Sequence, residues 1–311
     1  MKKLLSLFVV IFTLAFAGCS NESSSSEGDK TKKEGSKIVT TTGQISDTVK
    51  EIVGDHLEVV TLMGPGVDPH LYKATQSDLE RLESADAIFY NGLHLEAQME
   101  DVLNEMAKEK TVVAVGDQVT STSLLADEAN SELYDPHIWF DIEIWKQVTE
   151  TITDTLVKDY PDYKEDFEKN EAEYITKLVE LQEYATNRIQ DVPENQRVLV
   201  TAHDAFNYFA QSQNFEVRGL QGISTEAEYG VKDVQNMVTF LVDNKIKAVF
   251  VESSVSDKAI NAVIEGAKEK GHDVTIGGEL YSDAMGAEGT EEGTYIGMYK
   301  YNIDTIVDAL K

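Results

Sequence analysis

Four side chains of metal-binding types lie where a buried segment ends or a loop begins. Two of them, His70 and His137, are histidines that each end the tripeptide Asp-Pro-His. A third, His203, ends the apolar run RVLVTAH. The fourth is the carboxylate of Asp283 in ELYSDAMG. Three imidazoles and one carboxylate suit a single borderline divalent metal ion. Because α/β folds place functional groups at such strand ends, we expect these four side chains to form one site.

A histidine that binds a metal through one ring nitrogen needs an acceptor on the other nitrogen to fix its tautomer. The proline before His70 and before His137 restricts the backbone, which orders each imidazole at low entropic cost. Acids close in sequence to the three histidines are candidate acceptors: Asp68, Asp135, Asp141 and Asp204. Glu252 ends the apolar run AVFVE and is interpreted as satisfying backbone or loop groups near the site.

The other histidines are assigned no part in the site. His56 and His272 lie in the polar turns GDHLE and KGHDV, which predicts surface positions. His94 follows a predicted strand in NGLHLE and is close enough to that strand end to line a cleft, but we interpret it as structural.

The elements that must position these residues alternate between β-branched runs and helical periods. This order predicts an α/β fold with mainly parallel sheets covered by helices. The predicted strands are Lys37–Thr42, Leu57–Met63, Ala87–Tyr90, Thr111–Val115, Arg197–Thr201, Phe215–Leu220, Ala248–Glu252 and Val274–Ile276. The predicted helices are Ser77–Ala85 with Ser77 as N-cap, Glu96–Lys108, Ile142–Val157, Asp204–Gln213, Val231–Asn244, Asp257–Lys270 and Thr294–Leu310.

Residues 161–192 differ from this pattern and predict one long linking helix. Between two prolines, apolar residues recur mostly three, four or seven apart, which gives a helix with one buried stripe. The stripe consists of Phe167, Tyr174, Leu178, Leu181, Ala185 and Ile189. The helix would join an N-terminal lobe, residues 37–160, to a C-terminal lobe, residues 193–311. His70 and His137 then come from the first lobe and His203 and Asp283 from the second, so the metal site lies in the inter-lobe cleft.

Composition limits the class of partner. The chain has 311 residues and a net charge of −29, with 41% hydrophobic residues. This describes a folded globular protein, and nucleic acid is excluded as a partner because phosphate binding needs a basic face. With a single cysteine, Cys19, the chain cannot form an intramolecular disulfide.

The N-terminus has the three regions of a bacterial lipoprotein leader. Two lysines precede an apolar stretch, and small residues follow up to Cys19 in FAGC. The pattern resembles a lipobox, in which the cysteine is lipidated and becomes the new N-terminus; an ordinary secretory leader is the alternative. Residues 1–18 are therefore the predicted signal peptide, and residues 19–36, rich in serine and charged residues, a flexible tether. This predicts an extracytoplasmic protein anchored to the cell membrane through lipid on Cys19.

Six segments carry a resemblance to a known family. They are GVDPHLYKATQSDLERLESADAIFYNGLHLE, DPHIWFD, VLVTAHDAFNYFA, GLQGISTEAE, AVFVESSVSDKAI and GGELYSDAMG. In these, the chain resembles the metal-binding (cluster A-I) solute-binding lipoproteins of bacterial ABC transporters. The resemblance covers nearly all of residues 37–311. It implies two lobes joined by one helix, limited hinge motion, and a buried Mn²⁺ or Zn²⁺ site formed by His70, His137, His203 and Asp283.

The resemblance also implies a monomeric transport protein, without enzymatic activity, that delivers its ion to a membrane permease and its ATPase. Mn²⁺ is the favoured ion, because GLQGISTEAEYG and AHDAFNYF are most similar to the manganese branch and residues 117–134 contain no histidine. A zinc-specific protein of the same family is the first alternative. A zinc metallohydrolase is less well supported because the chain has no His-Glu-x-x-His helix, and nothing marks an adhesive site for a surface adhesin.

Overall fold

A computed structural model describes residues 35–127 and 130–311; the predicted signal peptide, Cys19 and all but the last two residues of the predicted tether lie outside them. The strands are β1 (Lys37–Thr40), β2 (Glu58–Thr61), β3 (Ala87–Tyr90), β4 (Thr111–Ala114), β5 (Val198–His203), β6 (Glu216–Gln221), β7 (Ala248–Glu252) and β8 (Thr275–Leu280). The α-helices are α1 (Gly43–Val53), α2 (Gln76–Ser84), α3 (Glu100–Met106), α4 (Ile142–Asp159), α5 (Lys164–Ile189), α6 (Asn207–Gln213), α7 (Val231–Asn244), α8 (Lys258–Glu269) and α9 (Tyr295–Leu310). Within the described ranges, no helix has the length and apolarity needed to cross a bilayer.

The strands pair in parallel, as the alternation of strands and helices predicts. In the N-terminal lobe the order is β2-β1-β3-β4, and in the C-terminal lobe β5 pairs with β6 and β7 with β8. Helices follow most of these strands, since parallel neighbours need a crossover connection. All carboxyl ends of the strands in one sheet therefore lie at the same edge, where the loops with the candidate ligands begin.

Helix α5 has the length and the buried stripe that the sequence predicts. It has 26 residues, which corresponds to about 39 Å at 1.5 Å per residue. Its buried residues are Phe167, Tyr174, Leu178, Leu181, Ala185 and Ile189. The stripe packs against α1, α4 and α9, so α5 contacts helices of both lobes. A short 3₁₀ turn at Pro161–Tyr163 precedes α5, because proline is accepted at the start of a helix and not inside it.

The two lobes share the largest of three hydrophobic clusters, and each lobe also has a smaller cluster of its own. A single cluster of buried apolar side chains includes residues from the N-terminal lobe, from α5 and from α9. Trp145 stacks on Tyr295 with 5.1 Å between ring centroids. The Tyr295 hydroxyl donates to the carbonyl of Trp139 at 2.8 Å, and the Trp139 indole donates to the carbonyl of Ser282 at 3.0 Å. These aromatic groups tie the segment that follows His137 to α9 and to the loop that carries Asp283.

Beyond shifts of element ends, such as that of β8, which extends to Leu280 and not only to Ile276, two local features differ from the sequence prediction. Helix α1 lies in a stretch for which no element is predicted, although it is amphipathic and its buried face includes Ile45, Val49 and Ile52. The N-cap of α2 is Thr75 and not Ser77. The Thr75 hydroxyl accepts from the backbone N–H of Asp78, and the Asp78 carboxylate accepts from the backbone N–H of Thr75. This reciprocal pair is a capping box, which satisfies two N–H groups where a cap at Ser77 would satisfy one.

Asp47 on α1 makes a further hydrogen bond between the lobes. Its carboxylate accepts the backbone N–H of Tyr295, the first residue of α9, at 2.9 Å. Burial raises the pKa of Asp47 to about 6, from an ordinary value of 3.8. The ionised form is therefore less favourable in the folded protein than in the unfolded chain, and stability is lost as the pH rises through this range.

We expect Asp47→Asn to stabilise the metal-free protein more at pH 8 than at pH 5. The amide oxygen can still accept the Tyr295 N–H, but carries no charge to desolvate. The change in the free energy of unfolding should be larger at the higher pH by about 1 kcal/mol, measured by urea unfolding at both pH values. Asp243→Asn, at an exposed position on α7, is the matched control and should give the same change at both pH values. Equal changes for Asp47→Asn would contradict this account.

Candidate metal centre

The four candidate ligands converge from loops and strand ends of both lobes. His70 lies in the loop after β2, and His137 immediately precedes a 3₁₀ turn at Ile138–Phe140. His203 is the last residue of β5, and Asp283 follows β8. All four side chains are buried, and one ligand atom of each lies within 4.8 Å of the others. The structure thus brings together the residues that the sequence singles out.

The spacing of the ligand atoms is close to that of donors around one small metal ion. The Nε2 atom of His137 lies 3.4 Å from Nε2 of His70 and 3.3 Å from Nε2 of His203. The carboxylate oxygens of Asp283 lie 3.3 Å from Nε2 of His137, 3.3 Å from Nε2 of His203 and 3.8 Å from Nε2 of His70. A tetrahedral ion with bonds of roughly 2.0–2.1 Å separates its ligand atoms by roughly 3.3–3.4 Å. The cluster therefore has the dimensions of a metal site.

Carboxylates behind the ligands hold two of the three rings. Asp135 accepts the Nδ1–H of His137 at 2.7 Å and its backbone N–H at 2.9 Å. Glu252 accepts the Nδ1–H of His203 at 2.5 Å and its backbone N–H at 2.8 Å. Each contact fixes the tautomer in which Nε2 presents a lone pair to the site, and raises the basicity of the ring.

The role of Glu252 is only partly visible in the sequence. Its contact with the His203 backbone agrees with the prediction that it satisfies groups near the site. Its contact with the ring could be inferred only from the position of β7, because Glu252 and His203 are 49 residues apart. Gly219 on β6 is a further requirement here, since a Cβ at that position would clash with the backbone of His203 and Asp204.

His70 is held differently. Asp68 accepts its backbone N–H at 2.9 Å, but among the described residues no carboxylate contacts the His70 Nδ1 atom. Of the other predicted acceptors, Asp141 caps the N-terminus of α4 through the backbone N–H groups of Glu143 and Ile144. Asp204 has a pKa raised by burial and makes no hydrogen bond to a ring of the cluster. Acceptor roles thus depend on loop geometry, which proximity in sequence does not specify.

Without a metal ion, positive charge in the site is carried by protons. Burial disfavours protonation of His137, but Asp135 and Asp283 outweigh it and raise the pKa to about 9. Burial is similarly outweighed at His203, where Glu252 and Asp283 raise the pKa. Against the effect of its own burial, Asp283 has a pKa well below its usual range because His203 and His137 face it. The site is therefore built around a buried negative charge that requires a cation.

The pKa of His70 shifts in the opposite direction to those of His137 and His203. Burial lowers its pKa to about 3, because Asp283 opposes this only in part and the other two imidazoles add to the lowering. His94, interpreted as structural, lies outside the cluster with its side chain 46% exposed and its Nδ1 3.5 Å from Glu100. It lines a separate surface cavity of about 270 Å³.

Comparisons with known proteins point to the same class of protein, a metal-binding protein, as the fold and the site do. Residues 38–309 match the profile of the family described as ZnuA, zinc-uptake complex component A, periplasmic. The chain is 49% identical over 303 residues to the manganese-binding lipoprotein MntA of Bacillus subtilis, covering 97% of each chain. It is 45% identical over 274 residues to the zinc-binding protein TroA of Treponema pallidum, covering 88% of each.

Two solved structures of metal-binding proteins have the same fold as this chain. The periplasmic zinc-binding protein TroA of Treponema pallidum superimposes with a TM-score of 0.87 at 44% identity, over 89% of this chain and 99% of that one. Fe(III)-bound YtgA of Chlamydia trachomatis superimposes with a TM-score of 0.79 at 26% identity, over 88% and 98% of the two chains. Similarity that extends over nearly the whole described chain shows that the protein belongs to the ZnuA family of metal-binding substrate-binding proteins.

Proposed function

We propose that this protein is the extracytoplasmic substrate-binding lipoprotein of an ABC transporter, which captures a divalent metal ion and delivers it to a membrane permease and its ATPase. The observation that carries the proposal is the buried cluster, in which the Nε2 atom of His137 lies 3.4 Å from that of His70, 3.3 Å from that of His203 and 3.3 Å from a carboxylate oxygen of Asp283. His70, His137, His203 and Asp283 are the ligands in this proposal. The family membership supplies the transport context.

Mn²⁺ is the proposed cargo, and Zn²⁺ is the alternative. The relative named as manganese-binding is the more similar of the two compared above, at 49% identity, against 45% for the one named as zinc-binding. Zn²⁺ binds more tightly than Mn²⁺ at most such sites according to the Irving–Williams order. Selectivity for Mn²⁺ would therefore come from supply and from productive release rather than from affinity at equilibrium.

The protein acts as a monomer outside the cytoplasm, anchored through lipid on Cys19, in this proposal. A single acyl chain binds a bilayer only weakly, whereas two or more give stable attachment. The anchor has to come from lipid, because the acidic surface is repelled by anionic head groups. A tether of residues 19–36 keeps the binding lobes near the permease.

A hydrolytic role is not supported by the geometry. A catalytic zinc keeps an open position for water, with a general base nearby. Here the fourth position is filled by Asp283. The acids behind the ligands, Glu252 and Asp135, are engaged by the backbone and ring of His203 and of His137.

The first prediction from this proposed function concerns the ligand set. The purified protein should bind one Mn²⁺ or Zn²⁺ per chain, and His203→Ala should weaken binding at least roughly 100-fold because it removes a ligand and leaves Glu252 buried without its partner. Isothermal titration calorimetry measures both quantities. His272→Ala removes a histidine outside the cluster and should leave the affinity unchanged. Wild-type affinity in His203→Ala would end the assignment.

The second prediction concerns the carboxylate behind His203. Glu252→Gln preserves size but removes the charge that fixes the ring, so the affinity for Zn²⁺ should fall roughly 10-fold to 100-fold. Glu269→Gln, an exposed acid on α8, is the matched control and should have no effect. A loss of less than about threefold for Glu252→Gln would show that Glu252 does not orient the ligand.

The third prediction concerns the cargo. Deleting the gene should abolish high-affinity ⁵⁴Mn²⁺ uptake by the cells, and complementation with wild type, but not with His203→Ala, should restore it. Uptake of ⁶⁵Zn²⁺ in the same strains is the comparison. Loss of zinc uptake with unchanged manganese uptake would establish the alternative.

A further inference from the structure

The two Asp-Pro-His segments make the same pattern of hydrogen bonds, and in both the pattern extends across the cleft. In each, one carboxylate oxygen of the aspartate accepts the backbone N–H of the histidine two residues later, at 2.9 Å in both. The other oxygen accepts a side-chain donor from the C-terminal lobe. For Asp68 the donor is the Thr225 hydroxyl at 2.6 Å, and for Asp135 it is the Asn207 amide at 3.1 Å.

The two segments differ in how firmly each holds the imidazole of its own histidine. His137 is held at its ring by Asp135, so its position does not depend on the Asn207 contact alone. In the other segment, Asp68 contacts the backbone N–H of His70 and not its ring. The position of His70 therefore follows the position of Asp68, and the other contact of that carboxylate is with Thr225.

Thr225 belongs to a loop that is connected to the other side of the site. The loop, residues 222–230, joins β6 to α7, and Thr225 itself is buried. Gln221 pairs with His203 in the β5–β6 register, and its side-chain amide donates to the carbonyls of Thr225 at 3.4 Å and Ala227 at 3.3 Å. The hydroxyl of Thr225 thus connects the strand ends that carry His203 to the loop that carries His70.

The remainder of the lobe contact offers little freedom for separate motion. The lobes share a hydrophobic core around Trp139, Trp145 and Tyr295, and opening that core would expose large apolar surfaces. The Asp68–Thr225 contact is a single hydrogen bond between two loops, so it can break at much lower cost.

We propose that Thr225 is a positioning residue for metal release: its hydrogen bond to Asp68 holds His70 on the ion, and breaking it lets His70 leave first. This inference rests on the proposed function, because it concerns the same ion site. His137, His203 and Asp283 remain in place when the contact breaks, and the ion becomes accessible on the His70 side.

The experiment measures the dissociation rate of Zn²⁺, by stopped-flow mixing of the loaded protein with excess fluorescent chelator. Thr225→Val keeps the shape of the side chain but removes its hydroxyl, and should accelerate release roughly tenfold, as expected for a hydrogen bond to a charged group. The association rate should change by less than about twofold. Thr225→Ser retains the hydroxyl and should release Zn²⁺ at the wild-type rate.

A matched control separates this effect from general destabilisation. Thr153 on α4 is also buried, and its hydroxyl donates within its own helix to the carbonyl of Thr149 at 3.0 Å. Thr153→Val should leave the release rate unchanged. Circular dichroism of each variant verifies that it is folded before the kinetics are measured.

A double-mutant cycle tests whether Thr225 acts through Asp68. In an Asp68→Ala background, Thr225→Val should produce no further acceleration, because its partner is already absent. The same acceleration in both backgrounds, or a wild-type rate for Thr225→Val alone, would overturn the inference while leaving metal binding intact. Failure of the wild-type protein to bind Zn²⁺ would instead refute the proposed function.

Discussion

The constraint on which the structure depends is the convergence of three imidazole nitrogens and a carboxylate on one point inside the protein. Lone pairs at 3.3–3.4 Å repel each other unless a cation or a proton lies among them. Holding them together therefore requires rigid supports. Asp135 and Glu252 supply these at His137 and His203, and both acids are themselves buried. The site is costly to form without a cation, and this cost is what makes a metal ion bind strongly.

The supports come from the two lobes in equal number, and this arrangement explains the architecture. Parallel strands place all loops at one edge of a sheet, so each lobe delivers two ligands to the cleft. Helix α5 and the aromatic contacts between Trp139, Trp145 and Tyr295 then fix the relative position of the lobes. A displacement of about 1 Å between the lobes would change the ligand distances by more than the difference between a good and a poor metal site.

Much of this could be predicted from the sequence, because the information is local. The stripe on α5 follows from a 3.6-residue period. The strand before the His70 loop and the strand that ends at His203 follow from apolar runs bounded by polar residues. What could not be predicted depends on tertiary geometry. Glu252 reaches His203 only because β7 lies beside β5, and Asp204, adjacent in sequence to His203, does not contact its ring. The sequence does not predict helix α1, because Gly43, Gln44 and Ser46 weaken its apolar signal, although its inward face packs against α5 and α9.

The hydrophobic core shared by the lobes has a consequence for the integrity of the whole molecule. Since the largest apolar cluster includes side chains from β1, α5 and α9, each lobe keeps only its own smaller cluster intact when the other lobe is removed. The two halves should therefore behave as one cooperative unit during denaturation, and an isolated lobe should not persist as a folded fragment. A binding protein of this construction cannot be divided into interchangeable modules, in contrast to proteins whose domains are joined only by a flexible hinge.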